Sequence, residues 1–294
     1  MEKQVRRNEG QRSAARGAKD LAAGGWNMGS YRAVFCDIDG TLLTSDHRVT
    51  PDTAKKVREL SEGGIPFVLT SSRMPAAMYS IQEEIGFHGP MISYGGALVL
   101  DGDGKVLADV GLSQALAAEL RREFPAETEE RCFSAYSGDF WMVTDRDHPL
   151  VRREEEITGV RSVKGPWEDV LQEDIPIHKL FWTGPPDFLD EMAGELGNKF
   201  PQCMFCKSAP WLLEIMDGRA SKSQAVHILC REWGISPAET VSFGDNYNDI
   251  DMLKATGHSV AMGNAPEAVK AAASEVTVDN NREGLLLTLN RLFP

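Results

Sequence analysis

The sequence has few cysteines, no long apolar run and no excess of basic residues, and each of these shortages excludes a class of protein. Five cysteines are scattered over the 294 residues, and such a set does not favour a closed framework of disulfide bonds. A reducing, cytoplasmic setting is therefore expected. No stretch approaches the ~18 apolar residues of a membrane-spanning helix. The formal net charge of −13 repels phosphate backbones, so nucleic-acid partners are not expected either.

The rest of the composition is that of a folded protein. Hydrophobic residues make up 42% and charged residues 26%, which supplies enough apolar side chains for a core. Residues 1–29 are the exception, because they are rich in Lys and Arg and lack both aliphatic periodicity and the apolar segment of a secretory signal. We expect residues 1–29 to form a disordered extension and leave them out of the fold prediction.

Short apolar runs alternate with helical patterns in the first part of the chain. Runs at Ala33–Cys36, Pro66–Thr70 and Met91–Ser93 are typical of strands buried on both faces of a sheet. Between the first two runs, Thr50 and Pro51 form the N-cap and first position of a helix pattern. The same alternation returns near the end of the chain. It predicts an α/β fold with a doubly wound, mostly parallel, Rossmann-like core sheet.

The middle of the chain has a different texture, with denser aromatic and acidic residues. Strands are expected at Phe140–Val143 and His178–Thr183. We therefore predict an α+β domain inserted over residues 109–210. The core then consists of two pieces of sequence, residues 30–108 and residues 211–294.

The sharpest local signal is a pair of carboxylates directly after the first strand. Asp37 and Asp39 lie two residues apart, and Gly40 allows the chain to turn sharply behind them. In open α/β sheets, ligands bind at the carboxyl ends of the strands. Two close carboxylates in water-poor surroundings need a proton or a cation between them, and Mg²⁺ is the default cation when phosphate is also present. The alternative interpretation is an Asp-rich turn that caps a helix.

Three further segments favour a phosphate site over that alternative. Ser71, Ser72 and Arg73 follow the second strand, where hydroxyl and backbone N–H groups can hold phosphate oxygens, although a plain helix N-cap has the same pattern. Lys222 is at a helix start, where a cation is electrostatically unfavourable unless an anion compensates for it. The alternative interpretation is an ordinary surface lysine. Phe243–Leu253 follows another apolar strand and opens a helix with several acidic groups.

Together, these four segments resemble the four motifs of the haloacid dehalogenase superfamily, and the wider pattern looks like its Cof-like phosphatases. Members of that subfamily carry a large α/β cap inserted after the second motif. Ala261–Pro266 and Asp279–Gly284 also look like late core signatures of the subfamily, so the resemblance covers about residues 31 to 294. The inserted domain, here called the cap, is matched by its length and position only.

The resemblance implies a role for each motif residue. Asp37 is the nucleophile that forms an aspartyl-phosphate, and Asp39 is the general acid that protonates the leaving group and then the base that activates water. Ser71 and Lys222 hold and neutralise the transferring phosphoryl group. Further contacts to substrate or phosphate are expected from Gly40, Ser72, Arg73 and Asn248. The expected ligands of a Mg²⁺ ion are Asp37, the backbone carbonyl of Asp39, Asp245 and Asp249.

The chain departs from the subfamily's pattern at two places. The usual Thr-Gly-Arg of the second motif reads Ser71-Ser72-Arg73, which keeps the hydroxyl group. The frequent Asn-Gly-Ala after the third strand reads Gly95-Gly96-Ala97. That change removes an amide side chain and, with it, a basis for inferring the substrate.

The function that the resemblance implies is a Mg²⁺-dependent phosphatase of small phosphorylated metabolites, either sugar phosphates or phosphorylated cofactors, acting as a monomer or weak homodimer. The alternatives are a phosphomutase, a specialised phosphatase of the sucrose-phosphate or mannosylglycerate-phosphate type and, less favoured, a non-catalytic binding protein on the same fold. The second acid, Asp39, favours phosphate esters over carbon–halogen bonds, because it is absent in the related dehalogenases.

Two other features are weaker candidates for function. Cys203 and Cys206 have the spacing of metal ligands, but no second pair accompanies them, and unlinked thiols are the simpler interpretation. Lys179 and Arg161 are candidates for contact with a second anionic group on the substrate, although solvated charges are the default.

Overall fold

A computed structural model of the chain describes residues 31–165 and 176–294. Residues 1–29, for which we predicted a disordered extension, lie outside the described residues. The described strands are β1 (Ala33–Asp37), β2 (Phe67–Thr70), β3 (Met91–Ser93), β4 (Leu98–Leu100), β5 (Val106–Asp109), β6 (Cys132–Ser137), β7 (Phe140–Val143), β8 (Val163–Lys164), β9 (Lys179–Thr183), β10 (Cys203–Ala209), β11 (Leu212–Asp217), β12 (Thr240–Gly244), β13 (His258–Ala261) and β14 (Glu275–Val276).

The α-helices of the same residues connect these strands. They are α1 (Pro51–Glu62), α2 (Pro75–Ile85), α3 (Gln114–Glu123), α4 (Pro149–Thr158), α5 (Pro186–Lys199), α6 (Lys222–Trp233), α7 (Ile250–Ala255), α8 (Glu267–Lys270) and α9 (Gly284–Leu292). Among the described helices, none is long and apolar enough to cross a membrane.

The core sheet has eight strands in the order β14-β13-β12-β1-β2-β3-β4-β5. Neighbours from β14 to β3 pair in parallel, and the hairpin of β4 and β5 adds antiparallel pairs at one edge. Along β1, Val34 and Cys36 are buried with side chains of α1, α2 and α9, whereas Ala33 and Phe35 are buried with those of α6 and α7. Helices therefore cover both faces, which confirms the predicted doubly wound α/β core.

The second sheet has six strands in the order β10-β11-β9-β6-β7-β8, and all its pairs are antiparallel except β7 with β8. Leu180 and Trp182 point to the face that α3 and α5 cover. The alternate residues Lys179 and Phe181 point to the other face, beside Tyr136 of β6. This second face is turned towards the core, so the cap presents one side of its sheet to the core domain.

The boundary that we expected between residues 210 and 211 needs correction. It falls inside a hairpin, because β10 pairs with β11 through Met204 and Met216, and β11 continues the cap sheet by pairing with β9. The apolar run Leu212–Asp217 has the composition of a buried core strand, and only its pairing partners assign it to the cap. The return to the core therefore begins after Asp217, at the turn that leads into α6.

The cap is seated on the core through the aromatic ring of Tyr94. This residue follows β3 in the core, has a left-handed backbone conformation (φ +50°) and is fully buried. Its ring stacks on His178 of the cap at a centroid distance of 5.0 Å, and its hydroxyl donates to the carbonyl of Gly138 at 2.7 Å. His178 in turn accepts from the Gly138 N–H and bonds Asp109 at the end of β5. The core residue Tyr94 thus contacts the cap at Gly138 and His178, and His178 in turn bonds Asp109, where the chain passes from the core into the cap.

The two glycines that follow Tyr94 have different neighbours. A Cβ atom on Gly96 (φ +107°) would lie 2.2 Å from the backbone oxygen of Ser221, so this position admits no side chain. Gly95 is less crowded, and a Cβ there would lie 3.9 Å from the Met216 side chain of the cap. The close approach at Gly96 places the first turn of α6, and therefore Lys222, beside the ends of the central strands.

Candidate active site

Three strand ends bring the motif residues together at one edge of the core sheet. Asp37, the last residue of β1, lies opposite Thr70 of β2. On the other side of β1, Cys36 lies opposite Phe243 of β12. The loops that leave β2 and β12 therefore begin on either side of Asp37, at the carboxyl ends where ligands bind in this class of fold.

The turn after β1 is shaped to admit a second carboxylate. It spans Ile38–Leu42 and is closed by a bond from the Leu43 N–H to the Ile38 carbonyl. Gly40 has a φ of +82°, and a Cβ atom there would lie 2.3 Å from an oxygen of Asp245. Thr41 donates its hydroxyl proton to the same carboxylate at 2.8 Å. The glycine thus allows Asp245 to approach the turn, and the threonine holds it there.

Lys222 lies between two carboxylates and is fully buried. Its Nζ is 2.6 Å from Oδ1 of Asp37 and 2.6 Å from Oδ1 of Asp249. Burial by itself lowers the pKa of Lys222, but the charges of Asp249 and Asp37 outweigh it and raise the pKa above its usual value. These two partners explain how a cation is tolerated at the N-terminus of α6. The alternative of an ordinary surface lysine is therefore excluded.

Burial also changes the acid groups of this cluster. It raises the pKa of Asp37 well above its usual value, Asp249 raises it further, and Lys222 opposes both effects. Burial raises the pKa of Asp245 to about 6, although the hydrogen bond from Thr41 lowers it. Strongly perturbed pKa values in a cluster of this kind are typical of functional sites.

Asp249 has both carboxylate oxygens occupied. Oδ1 accepts from Lys222, and Oδ2 accepts from the backbone N–H groups of Asp245 and Asn246 at 3.0 and 2.9 Å. It therefore orients the lysine and shapes the loop after β12. Asn248, expected beside it, is exposed and makes no side-chain hydrogen bond with the described part of the chain.

The carboxylates of Asp37, Asp245 and Asp249 form a candidate cation site. One oxygen from each lies within 4.8 Å of the others. Hard oxygen donors with unfavourable mutual repulsion are suited to a divalent cation such as Mg²⁺. From the described residues, the buried Asp249 side chain accepts three hydrogen bonds, Asp245 accepts two and Asp37 accepts one, so Asp37 and Asp245 have more lone pairs left to bind an ion.

Asp39 turns away from this cluster and pairs with Arg73. The guanidinium donates from Nε to Oδ2 at 2.8 Å and from Nη2 to Oδ1 at 2.7 Å, a bidentate pair. The Arg73 N–H also donates to Oγ of Ser71 at 3.1 Å. Arg73, for which we expected a phosphate contact, holds the second acid of the first motif in the structure. Both carboxylate oxygens of Asp39 are thus occupied by Arg73 in the structure.

Two residues of this site, Thr41 and Asn264, are not among those predicted from the sequence. Asn264 donates from Nδ2 to the Gly40 carbonyl at 2.9 Å and to Oδ2 of Asp245 at 3.2 Å. Its own Oδ1 accepts from the Asn280 N–H. Asn264 and Asn280 lie in the two late segments that resemble the subfamily's core signatures. That resemblance was the sequence signal by which they could have been found. Their side chains tie those segments to the turn after β1.

The structure also shows where the weaker candidates for function, the cysteine pair and the two basic residues of the cap, are placed. Cys203 lies opposite Asp217 and Cys206 lies opposite Glu214, so the two thiols point to opposite faces of β10. They cannot ligate one metal ion, and both are free thiols. Lys179 is buried in an ion pair with Glu214, so its charge is not solvated as the default interpretation expected. Arg161 is exposed.

Comparisons with known proteins agree with this geometry. A family model described as haloacid dehalogenase-like hydrolase matches residues 34–289. A Haemophilus influenzae protein provisionally named a phosphatase is 33% identical over 264 residues, which cover 90% of this chain and 99% of that protein. An HMP-PP phosphatase of Serratia proteamaculans is 28% identical, with 84% of this chain and 89% of the relative covered.

The structural comparison gives the same result. The solved structure of a Thermotoga maritima protein matches with a TM-score of 0.78 at 27% identity, covering 89% of this chain and 97% of that chain. The chain therefore belongs to the haloacid dehalogenase-like hydrolases, which confirms the family expected from the four motifs. It is an enzyme, and its named relatives support phosphatase activity.

Replacing Lys222 with methionine tests the electrostatic role of the lysine in the fold. Without the ammonium, Asp37 and Asp249 face each other buried with no cation between them, and we expect about 3 to 5 kcal/mol less stability at pH 7 in urea denaturation. The loss should shrink towards pH 5, because the pKa of Asp37 is already raised and protonation removes the repulsion.

The matched control is Lys199→Met, which breaks the exposed pair with Glu123. Because solvent screens that pair, its loss should cost less than about 1 kcal/mol at either pH. Equal losses for the two variants, or a loss at Lys222 that is independent of pH, would contradict the assigned role.

Proposed function

We propose that the protein is a Mg²⁺-dependent phosphatase of small phosphorylated metabolites that works through an aspartyl-phosphate on Asp37. The observation that carries the proposal is the 2.6 Å contact between Lys222 Nζ and Asp37 at a junction of strand ends. A carboxylate and a phosphate are both anions, so attack requires positive charge held beside the nucleophile. Lys222 supplies such a charge, and it is fixed in place by Asp249 before any substrate binds.

The proposed reaction has two displacements at phosphorus. In the first, an oxygen of Asp37 forms a bond to phosphorus while the bond from phosphorus to the leaving-group oxygen breaks. Asp39 delivers a proton to this leaving-group oxygen. In the second, Asp39 accepts a proton from water, which attacks the aspartyl-phosphate and releases inorganic phosphate and free Asp37. The Ser71 hydroxyl donates to the phosphoryl group during both steps.

Arg73 connects substrate binding to the availability of Asp39. Both carboxylate oxygens of Asp39 accept from the Arg73 guanidinium. A phosphate dianion competes for the same guanidinium, because bidentate Arg–phosphate pairs have the same fork geometry. Movement of Arg73 onto the phosphate would satisfy the expected phosphate contact and free the Asp39 carboxylate to take up a proton from solvent, which it then delivers to the leaving oxygen.

Asp37 and Asp245 are the proposed carboxylate ligands of Mg²⁺, together with the backbone carbonyl of Asp39. A bound divalent cation supplies charge neutralisation and alignment of the phosphoryl group in reactions of this class. Thr41 and Asn264 each hold an oxygen of Asp245, so the ligand is positioned in advance.

The proposed substrates are small phosphate monoesters, because the cap contacts the loop after β2 through Lys179 and the Ser72 carbonyl, and a cap seated there favours a small substrate. Sugar phosphates and phosphorylated cofactors both remain within this class, and one relative is named for HMP-PP. A cytoplasmic location and a monomer or weak homodimer stay predictions from the sequence.

The direct test is release of inorganic phosphate from a panel of small phosphate esters. We expect release with Mg²⁺, none with excess chelator, and a fall of at least about 10³-fold in Asp37→Asn, because the nucleophile is lost. A lasting phospho-enzyme that releases no inorganic phosphate and requires a bisphosphate activator for turnover would indicate a phosphomutase. Release that survives in Asp37→Asn would contradict the nucleophile assignment.

Thermal unfolding with and without Mg²⁺ tests the metal ligands without any substrate. The folded pKa of Asp245, about 6, is above its ordinary value of 3.8, so ionising this group costs stability as the pH rises through that window. Mg²⁺ offsets the cost only when the group is ionised. We therefore expect the ion to raise the melting temperature more at pH 8 than at pH 5.

The matched control for this measurement is Asp245→Asn, which keeps the shape of the side chain and removes its charge. The variant should lose most of the Mg²⁺-dependent shift at pH 8. A full shift in the variant would contradict the assignment of Asp245 as a ligand.

A further inference from the structure

Lys179 is a buried cation of the cap that the reaction described above does not use. It is the first residue of β9 and is only 6% exposed. Its Nζ is 3.0 Å from Oε1 of Glu214, on the neighbouring strand β11. The second partner lies in the other domain, because Nζ also donates to the backbone carbonyl of Ser72 at 3.2 Å.

Aromatic rings enclose the same ammonium group. Nζ lies 5.0 Å from the ring centroid of Tyr136 and 5.3 Å from that of Phe181, both in the cap. It also lies 5.9 Å from the ring of Tyr94, the core residue on which the cap is seated. These three rings confine the group without help from Glu214, so its bond to Ser72 has a fixed direction.

The carbonyl that Lys179 holds belongs to the loop that handles the phosphoryl group. Ser72 lies between Ser71, whose hydroxyl is the proposed phosphate contact, and Arg73, which pairs with Asp39. The Arg73 N–H is bonded to Ser71 within the same loop. A shift of the Ser72 peptide would therefore move both side chains relative to Asp37.

We infer that Lys179 is a positioning residue through which the seated cap fixes the backbone of the phosphate loop Ser71–Arg73, from which the Ser71 and Arg73 side chains reach the phosphoryl group. It acts through the carbonyl of Ser72 and does not touch the substrate. A buried ion pair is weak evidence of a contribution to stability, since its desolvation cost offsets the attraction. Placement of the loop explains why the pair lies at the contact between the domains. The inference rests on the proposed function, because it concerns the loop that binds phosphate.

A double-mutant cycle separates positioning from stability. The variants are Lys179→Met, Glu214→Met and the combination of both, which replaces the ion pair with apolar groups of similar length. Each single variant leaves one buried charge unpaired and should lower the melting temperature, whereas the double variant should recover it. Glu214→Met retains the bond from Lys179 to Ser72, so it is the matched control.

The kinetic expectation differs from the stability expectation. Lys179→Met and the double variant should both lose roughly ten- to hundredfold in kcat/KM, because the reacting groups are misplaced. Glu214→Met should stay within about threefold of the unmodified protein. Recovery of kcat/KM together with the melting temperature in the double variant would mean that Lys179 has a structural role only, which overturns the inference.

Binding of inorganic phosphate with Mg²⁺, measured by calorimetry, gives a readout that needs no turnover. The double variant should bind phosphate about tenfold more weakly than Glu214→Met. If the unmodified protein neither binds phosphate nor hydrolyses any ester, the proposed function fails. If it does both and the double variant matches it, only the inference about Lys179 fails.

Discussion

One buried ammonium group determines how this site is assembled. Lys222 Nζ joins the carboxylate at the end of β1 to the carboxylate in the loop after β12, and it comes from a third element, the first turn of α6. Each of these charges would be costly to bury alone. Together they form a network whose members fix one another, and Asp249 extends it to the backbone of the loop that carries Asp245. The proposed nucleophile, Asp37, is therefore positioned by the same contacts that close the core.

The cap adds a second level of organisation to this arrangement. It is held on the core by the ring of Tyr94. The left-handed backbone of Tyr94 is stabilised by the stacking of its ring and by the hydrogen bond that its hydroxyl donates. Next to that ring, Lys179 contacts the carbonyl of Ser72. Seating of the cap and order in the phosphate loop thus depend on adjacent contacts. In a reaction that relies on positioning and charge neutralisation, this is an effective place for control by the cap.

The core could be predicted from the sequence because its signals are local. A strand buried on both faces, such as β1, is a continuous apolar run, and polar residues at its end mark the site. The cap could not be predicted to the same extent. Strand β6 mixes serine with aromatic residues, and Leu212–Asp217 has the composition of a core strand although β9 is its partner. The pairing of Asp39 with Arg73 depends on side-chain directions that only the folded chain sets.

Chemical trapping of the intermediate tests the central claim most directly. Asp39→Asn, which lacks the base for the second displacement, is mixed with Mg²⁺ and p-nitrophenyl phosphate, whose leaving group needs no proton. It is then quenched and reduced with borohydride, which converts an acyl phosphate to the alcohol. The account predicts homoserine at position 37 in the peptide mass spectrum, and none in Asp37→Asn treated in the same way. Phosphorylation at another residue, or a burst of nitrophenol without any modification at Asp37, would contradict it.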